Sequence, residues 1–423
     1  MVGLAWLWPL GWMGVLWAGM DEEEARRALG RGLAAATAAL IAWGISGFGF
    51  AFGGMGLWTE TPAFQALRRV YTLGADPQPM WSLVGLSGFL LSGIDREPAL
   101  AALWLHHAPA VAVAALLLGM GLEGMAVGPA VLWGAWLGGL VLPIGSHWVW
   151  GNGWLSRLGT TLRLGHGVVD PAGAGVLFVV TGGALGGILA AWGQRRPSPE
   201  PTFPPVHLPL LGGWGSLLIG VGWLAWLEAD PLRTMQPMPD SALIARNAWL
   251  SALGAVLGAW LYTGVVARQA DLLMGVRALA VGWVSGLTAA PFTGPWLAGG
   301  WGLLMGLATP ILVYGLRRRG QTPQSLALLY GLAGAAGLLA VGLLANGQAG
   351  AGWNSVGASA FMGRAGLGVV GVPGWGSPPD PGQLTAQIVG LLALGAWGAM
   401  ATGGPAALAR WLRARRWGRS PRP

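Results

Sequence analysis

The sequence contains no cysteine and no lysine, and charged residues make up only 9% of its 423 positions. The absence of cysteine excludes disulfides, thiol nucleophiles and thiolate metal sites. A soluble globular protein carries about 25% charged residues, and a chain with so few cannot cover a water-facing surface. This shortage of charge excludes an ordinary soluble domain and indicates a protein that crosses a membrane several times.

Long apolar runs contain most of the hydrophobic residues, which are 54% of the chain. The bilayer core holds no water to pair with backbone groups, so unbroken runs of this kind predict helices rather than the alternating strands of a barrel. The 75 glycines predict close helix packing. The 27 tryptophans are expected at membrane interfaces or around a cavity.

Eleven apolar segments are predicted as membrane helices. They cover approximately residues 2–20, 31–54, 99–119, 128–150, 170–192, 208–228, 242–264, 272–290, 295–316, 324–346 and 383–405. The stretch "MWSLVGLSGFLLSGI" (80–94) is predicted as a short interfacial or re-entrant helix. No basic residue precedes the first segment, which is unlike a cleaved signal peptide, although cleavage stays open.

The distribution of arginine predicts the orientation, because cytoplasmic loops are enriched in basic residues. With the N-terminus outside, the inner side holds Arg26, Arg27, Arg31, Arg195, Arg196, Arg268, Arg317, Arg318, Arg319 and six arginines of the tail. The outer side holds Arg68, Arg69, Arg96, Arg157, Arg163, Arg233 and Arg364. We therefore expect a cell (inner) membrane protein with an external N-terminus and a cytoplasmic C-terminus.

The proline-rich segment 193–209 divides the chain into five predicted helices and then six. Five-plus-five inverted repeats are common in transporters. The first residues of the fifth and tenth predicted segments are weakly similar to each other, which suggests such a repeat. The predicted organisation is one all-α membrane domain over residues 1–405, with a first repeat at about 2–192, a second at about 208–346, a last helix at about 383–405 and a basic cytoplasmic tail at 406–423.

The stretch "HWVWGNGWLSRLG" (147–159), followed by "DPAGAG" (170–175), resembles the ammonium transporter (Amt/Rh) family, whose pattern runs His-x-Val-Trp-Gly-Gly-Gly and then Asp-Phe-Ala-Gly-Gly. Weaker matches follow in family order at "HLPLLGGWGSLLIGVGWLAW" (207–226), "DLLMGVRALAVGWVSGLTAA" (271–290) and "LLYGLAGAAGLL" (328–339). The resemblance implies eleven membrane helices, a homotrimer, a pore for ammonium or ammonia in each protomer, and a soluble nitrogen-regulatory partner.

The resemblance also assigns roles to individual residues. It implies a vestibule made by Trp150, Trp223 and Trp226, with Asp230 where the family has a serine. It implies that Asp170 is the structural carboxylate that supports transport, and Glu123 matches a glutamate of an inner loop. The outer gate phenylalanine of the family aligns near Pro109, and the preceding His106 and His107 are expected to be mouth or packing residues. A tryptophan cage would attract a cation by about 2 kcal/mol when desolvated, although three tryptophans near an interface are also expected in so tryptophan-rich a chain.

The pore departs from the family pattern at both histidine positions, which are Phe178 and Tyr330 here. Imidazole titrates near neutral pH and can relay a proton, whereas phenylalanine cannot, and a tyrosine hydroxyl has a pKa near about 10. One possibility is that water or the Tyr330 hydroxyl replaces the relay, or that only neutral gas passes. The other is that the passage is closed, with Phe178 packed on Tyr330.

Two charged residues raise separate questions. Arg277 falls inside a predicted membrane helix, where a charge costs about 3 kcal/mol, so we expect an ion pair with Glu228 or Asp230; alternatively, Arg277 faces the pore and repels ammonium. Asp170 precedes Pro171, and proline favours the first position of a helix. Its carboxylate is therefore expected to cap that helix, and it could also steer a cation toward the vestibule.

The predicted function is transport of ammonium or ammonia. The alternatives are a non-conducting homologue with a sensory or structural role, or a pore for another small neutral solute such as carbon dioxide. An enzyme is not expected, because neither a nucleotide-binding loop nor a Ser-His-Asp pattern is visible. Five scattered histidines predict no metal site, and neither a cofactor nor a nucleic-acid partner is expected.

Overall fold

The computed structural model describes the chain except residues 19, 21, 75–79, 95–96, 193–206, 233–236, 319–325 and 418–423. Within the described residues, nine helices are long and apolar enough to cross a membrane, and two shorter apolar helices, Val2–Trp17 and Leu272–Gly286, accompany them. The predicted all-α membrane architecture is confirmed, and the count of eleven crossings stays a prediction.

The α-helices are α1 (Val2–Ala5), α2 (Leu7–Trp17), α3 (Glu22–Ala42), α4 (Phe48–Phe52), α5 (Pro98–Gly121), α6 (Val127–Trp136), α7 (Leu142–Val149), α8 (Leu158–Leu162), α9 (Val180–Trp192), α10 (His207–Glu228), α11 (Ser241–Val266), α12 (Leu272–Gly286), α13 (Pro295–Arg318), α14 (Leu326–Leu344) and α15 (Pro381–Trp417). Turns of π-helix at Trp43–Gly47 and Leu137–Val141 join α3 to α4 and α6 to α7, and a third, Ala174–Val179, leads into α9. Such turns often mark functional sites.

Two short hairpins lie in the connections between helices. Strand β1 (Val70–Thr72) pairs antiparallel with β2 (Ser82–Gly85), and β3 (Ala360–Phe361) pairs with β4 (Arg364–Ala365). The predicted helix at 80–94 is therefore wrong over its first part, which is β2. The strand forms because its backbone and side chains dock on the end of α7, where the Ser82 hydroxyl lies 2.6 Å from His147 Nε2 and the Trp148 indole donates to the Leu83 carbonyl.

The abundant glycines let helices touch backbone to backbone. Between α11 and α13, a Cβ on Gly302 would lie 2.0 Å from the Ser251 carbonyl oxygen, and one on Gly306 would lie 2.0 Å from that of Ala255. Between α2 and α10, a Cβ on Gly11 would lie 2.4 Å from the Gly215 carbonyl oxygen. These distances leave no room for a side chain, so the close packing expected from composition is present at these interfaces.

The last helix differs from its prediction in length. Helix α15 continues from Pro381 to Trp417, so residues 406–417 extend the predicted last helix rather than form a separate tail. Its far end is tied to the end of α9, because the Arg410 guanidinium donates to the Ala191 carbonyl. The two-repeat division of the chain stays a prediction, and residues 418–423 lie outside the described residues.

The α11–α13 contact predicts unequal effects of two neighbouring substitutions. Gly302→Ala would force a methyl group against the Ser251 carbonyl, whereas Gly300→Ala, on the same helix, meets nothing within 4 Å. We expect Gly302→Ala to destabilise the protein by about 1–3 kcal/mol through overpacking and Gly300→Ala to leave it unchanged or slightly stabilised. Thermal unfolding of both variants in detergent, followed by tryptophan fluorescence, measures the difference. Equal midpoints for the two variants would contradict the packing argument.

Candidate functional site

Seven aromatic side chains form a continuous series of ring contacts through the interior of the bundle. In order of contact they are Trp150, Trp226, Trp8, Trp223, Phe178, Trp12 and Tyr330, hereafter the aromatic column. Centroids of successive rings lie between 4.5 Å and 5.8 Å apart. Every member is buried. At these spacings no water-sized gap separates neighbouring rings, because aromatic pairs in contact have centroids about 4.5–7 Å apart.

The column draws its rings from several helices. Helix α2 supplies Trp8 and Trp12, which sequence reasoning did not assign to the site. Their spacing of four residues puts both indoles on one helix face, and this was the available signal. The face points inward because α2 lies against α10 at a glycine contact, where a Cβ on Gly222 would lie 2.3 Å from the Trp8 backbone nitrogen.

The predicted vestibule tryptophans are brought together, and each indole N–H has a fixed acceptor. Trp150 donates to the Asp170 carbonyl at 2.8 Å and Trp223 to the Ala172 carbonyl at 3.0 Å. Trp226 donates to the His106 carbonyl at 2.7 Å. These bonds set the orientation of three rings, since a buried indole N–H without an acceptor would lose its hydration.

Asp170 directs its carboxylate at the helix that carries Phe178 rather than at the column. Its Oδ2 accepts the backbone N–H groups of Gly175 and Val176 at 2.8 Å and 2.9 Å, and its Oδ1 accepts the Thr288 hydroxyl at 3.2 Å. The helix begins at Ala174, after Gly173 with φ +82°. The carboxylate therefore caps this helix from the preceding loop. The prediction that Pro171 occupies the first position of the helix is wrong, because the helix begins three residues later, at Ala174.

His106 and His107 lie at the Trp150 end of the column. The His106 ring stacks on Trp226 at 4.7 Å with an interplanar angle of 13°, and its Nε2 lies 3.9 Å from Asp230 Oδ1. His107 contacts the Trp150 ring at 5.4 Å. His106 therefore faces Trp226, and both histidines lie beside the predicted vestibule tryptophans. The gate position near Pro109 stays a prediction.

Phe178 and Tyr330 do not pack directly on each other, because the Trp12 indole lies between them. Trp12 contacts Phe178 at 5.5 Å and Tyr330 at 4.5 Å. The Tyr330 hydroxyl is buried and makes no hydrogen bond with the described residues. The predicted direct contact between Phe178 and Tyr330 is therefore absent, and the Trp12 ring contacts both residues instead.

The predicted ion pair between Arg277 and Glu228 is wrong. Next to Arg277, the Val276 carbonyl lies 3.5 Å from Ser216 Oγ, close to the middle of α10. Glu228 ends the same helix twelve residues later, which is about 18 Å away at 1.5 Å per residue. There it accepts a hydrogen bond from Ser241. Asp230 follows at that same end, so neither carboxylate reaches Arg277.

Glu123 lies away from the vestibule. It occupies the turn after α5, whereas His106 lies in the first half of that helix, and it is half-buried. Asp230, in contrast, follows α10 at the Trp150 end, and its Oδ1 accepts the Leu232 N–H at 2.8 Å. Of these two predicted site residues, the structure brings only Asp230 to the column.

A small cavity of about 70 Å³ opens beside Trp150. It is lined by Met55, Trp58, Trp150, Asn152, Arg157, Leu232, Gly352, Asn354 and Ser355. We call it the vestibule cavity. The Arg157 guanidinium lies over the Trp58 ring, 3.8 Å from its centroid. The cavity beside Trp150 therefore carries a positive charge where the resemblance implied a site for a cation.

Comparison with known sequences gives a family. The model described as the Ammonium Transporter Family matches residues 13–410 of the chain. Ammonium transporter Amt2 of Archaeoglobus fulgidus is 26% identical over 306 residues, which cover 68% of this chain and 62% of that relative. Ammonium transporter 1 member 3 of Solanum lycopersicum is 27% identical over 345 residues, which cover 76% of this chain and 71% of the relative. The chain thus spans less than two thirds of the Archaeoglobus protein's length.

Solved structures give the same fold. A protein described as Sensor Amt Protein superimposes with a TM-score of 0.71 at 18% identity, over 98% of this chain and 91% of that chain. Mep2 of Candida albicans superimposes with a TM-score of 0.70 at 18% identity, over 98% of this chain and 82% of that chain. At this identity the likeness shows the fold alone.

The capping geometry predicts that Asp170→Ala is strongly destabilising. The change would leave two backbone N–H groups and the Thr288 hydroxyl without their acceptor, each at a cost of about 1–3 kcal/mol. We expect a loss of at least about 3 kcal/mol. Asp240→Ala is the matched control, because Asp240 is an exposed cap that accepts one hydrogen bond, from Ala242, and should cost about 1 kcal/mol. Thermal midpoints compare the two variants, and a similar small loss for both would contradict the proposed role of Asp170.

Proposed function

Because the chain belongs to the ammonium transporter family, we propose that it transports ammonium or ammonia across a membrane along the aromatic column. The family match over residues 13–410 carries this proposal. The column supports it, because a route through the bundle from the vestibule cavity past Trp150 meets these rings in turn. We further expect the external N-terminus, the homotrimer and the cytoplasmic regulatory partner that the sequence analysis predicted.

The residues of the column favour neutral ammonia as the species that moves. Phe178 carries no proton-accepting group, and the neighbouring Trp12 and Trp223 have only indole N–H donors. A cation entering this apolar interior would lose its hydration at a cost of several kcal/mol. Ammonia carries no charge and avoids that cost. The proton that ammonium releases at the entrance therefore stays behind, and transport should carry no current.

The ring contacts also favour a second candidate function, a non-conducting homologue with a sensory or structural role. Along the column, each ring touches the next. Passage of any solute therefore requires rings to move, and Trp12 is the ring that separates the two former histidine positions. If the rings do not move, the column is a closed core and the protein transports nothing.

An ammonium pulse applied to proteoliposomes separates these functions. Ammonia that enters a vesicle takes up a proton and raises the internal pH, which a trapped dye reports, while entry of a cation gives a current on a solid-supported membrane. We expect alkalinisation faster than in protein-free vesicles, without current. A current in the wild-type protein would contradict transport of the neutral species. Alkalinisation no faster than in protein-free vesicles would support the non-conducting candidate.

Replacing the central indole of the aromatic column by a smaller side chain should widen the proposed route. We expect Trp12→Leu to accelerate alkalinisation, because it removes the indole between Phe178 and Tyr330. Trp17→Leu, on the same helix and outside the column, is the matched control. Reinstating histidine at positions 178 and 330 should give no current while Trp12 is present. A current from that double variant would show that Trp12 does not separate the two positions.

A further inference from the structure

The vestibule cavity holds a buried positive charge. Only 5% of Arg157 is exposed, and its burial lowers the pKa of the guanidinium to about 10. The group therefore remains protonated at neutral pH. A buried charge without a partner loses hydration that must be replaced by other interactions.

The protein supplies only part of that replacement. The Trp58 ring lies 3.8 Å below the guanidinium, a contact worth about 2 kcal/mol when desolvated. Arg157 Nε makes no hydrogen bond with the described residues. Neither the ion pair of Arg27 with Glu23 nor the approach of His106 to Asp230 involves Arg157. Arg157 therefore has no carboxylate partner in the described part of the chain.

The rest of the cavity is small and largely polar. Asn152, Asn354 and Ser355 line it beside Arg157. Asn354 is held in place by hydrogen bonds from its Nδ2 to the carbonyls of His166 and Val168, at 2.8 Å and 3.2 Å. The carboxylate of Asp230, two residues before the lining residue Leu232, is directed at His106. The cavity's volume of about 70 Å³ corresponds to roughly two water molecules in the liquid.

We propose that the vestibule cavity is a binding site for a small anion, held by the Arg157 guanidinium. A compact monovalent anion such as nitrate or formate would fit the volume, complete the hydrogen bonding of the guanidinium and neutralise its charge. The site lies at the start of the proposed transport route, but it binds the opposite charge from ammonium, and binding there requires no movement of the rings. Without the anion, Arg157 repels cations from the entrance.

Anion binding is measured on the purified full chain in detergent, as the rise in thermal midpoint on titration with sodium nitrate or sodium formate. Sodium gluconate keeps the ionic strength constant, since gluconate is too large for the cavity. A ligand that binds only the folded state raises the midpoint with its concentration. We expect a saturable rise with nitrate and with formate. An equal rise with gluconate in place of either anion would overturn the proposal, and this comparison needs no variant.

Variants assign the site. Arg157→Gln should weaken nitrate binding by at least about tenfold, because a hydrogen bond to a charged group contributes about 1.5–3 kcal/mol. Arg157→Lys, which keeps the charge, should retain part of the affinity. Arg364→Gln is the matched control, since it removes an exposed arginine from β4 and should leave the titration unchanged. Equal nitrate affinity in Arg157→Gln and the wild-type protein would overturn the proposal. Anion binding is measured in detergent and does not depend on transport. A negative transport assay would therefore not change the interpretation of the binding result.

Discussion

The Asp170 carboxylate fixes the segment that carries Phe178 and the loop that holds two further indoles of the aromatic column. Its oxygens accept hydrogen bonds from the first turn of the Phe178 helix and from Thr288, so the preceding loop has a set position. Carbonyls of that loop then hold the indoles of Trp150 and Trp223. The start of one helix and the orientation of two rings therefore depend on one buried group, whose own burial requires those partners.

Close helix packing delivers the remaining rings. Helix α2 approaches α10 backbone to backbone at Gly11, which leaves its large side chains to project beside that contact. Trp8 stacks on Trp223 at 4.6 Å, and Trp12 reaches the ring of Tyr330 on α14. Small residues and large rings thus act together, because the glycines bring the helices near enough for the indoles to meet and fill the interior.

The sequence predicted the architecture and the Trp150–Asp170 region well, since apolar length and a specific motif both report local requirements. The partner of Arg277 was predicted wrongly, because closeness of α10 and α12 in the sequence does not tell which part of one helix lies beside which part of the other. The stacking of His106 on Trp226 could not be predicted, because the two residues are 120 positions apart and meet only through the packing of α5 against α10. Trp8 and Trp12 were missed because their role arises from long-range packing, and a tryptophan in a membrane helix also suits an interface.

The column and its entrance act in the same direction on charged solutes. Aromatic faces attract a cation by about 2 kcal/mol when it is desolvated, but the desolvation of the ion costs several kcal/mol, and edge contacts such as that of Trp12 with Tyr330 leave few faces open. At the vestibule cavity, the Arg157 guanidinium adds repulsion at short range whenever no anion is bound. Both effects vanish for a neutral molecule. Under the proposed function, this interior is therefore expected to discriminate by charge before size, with column residues that do not relay a proton.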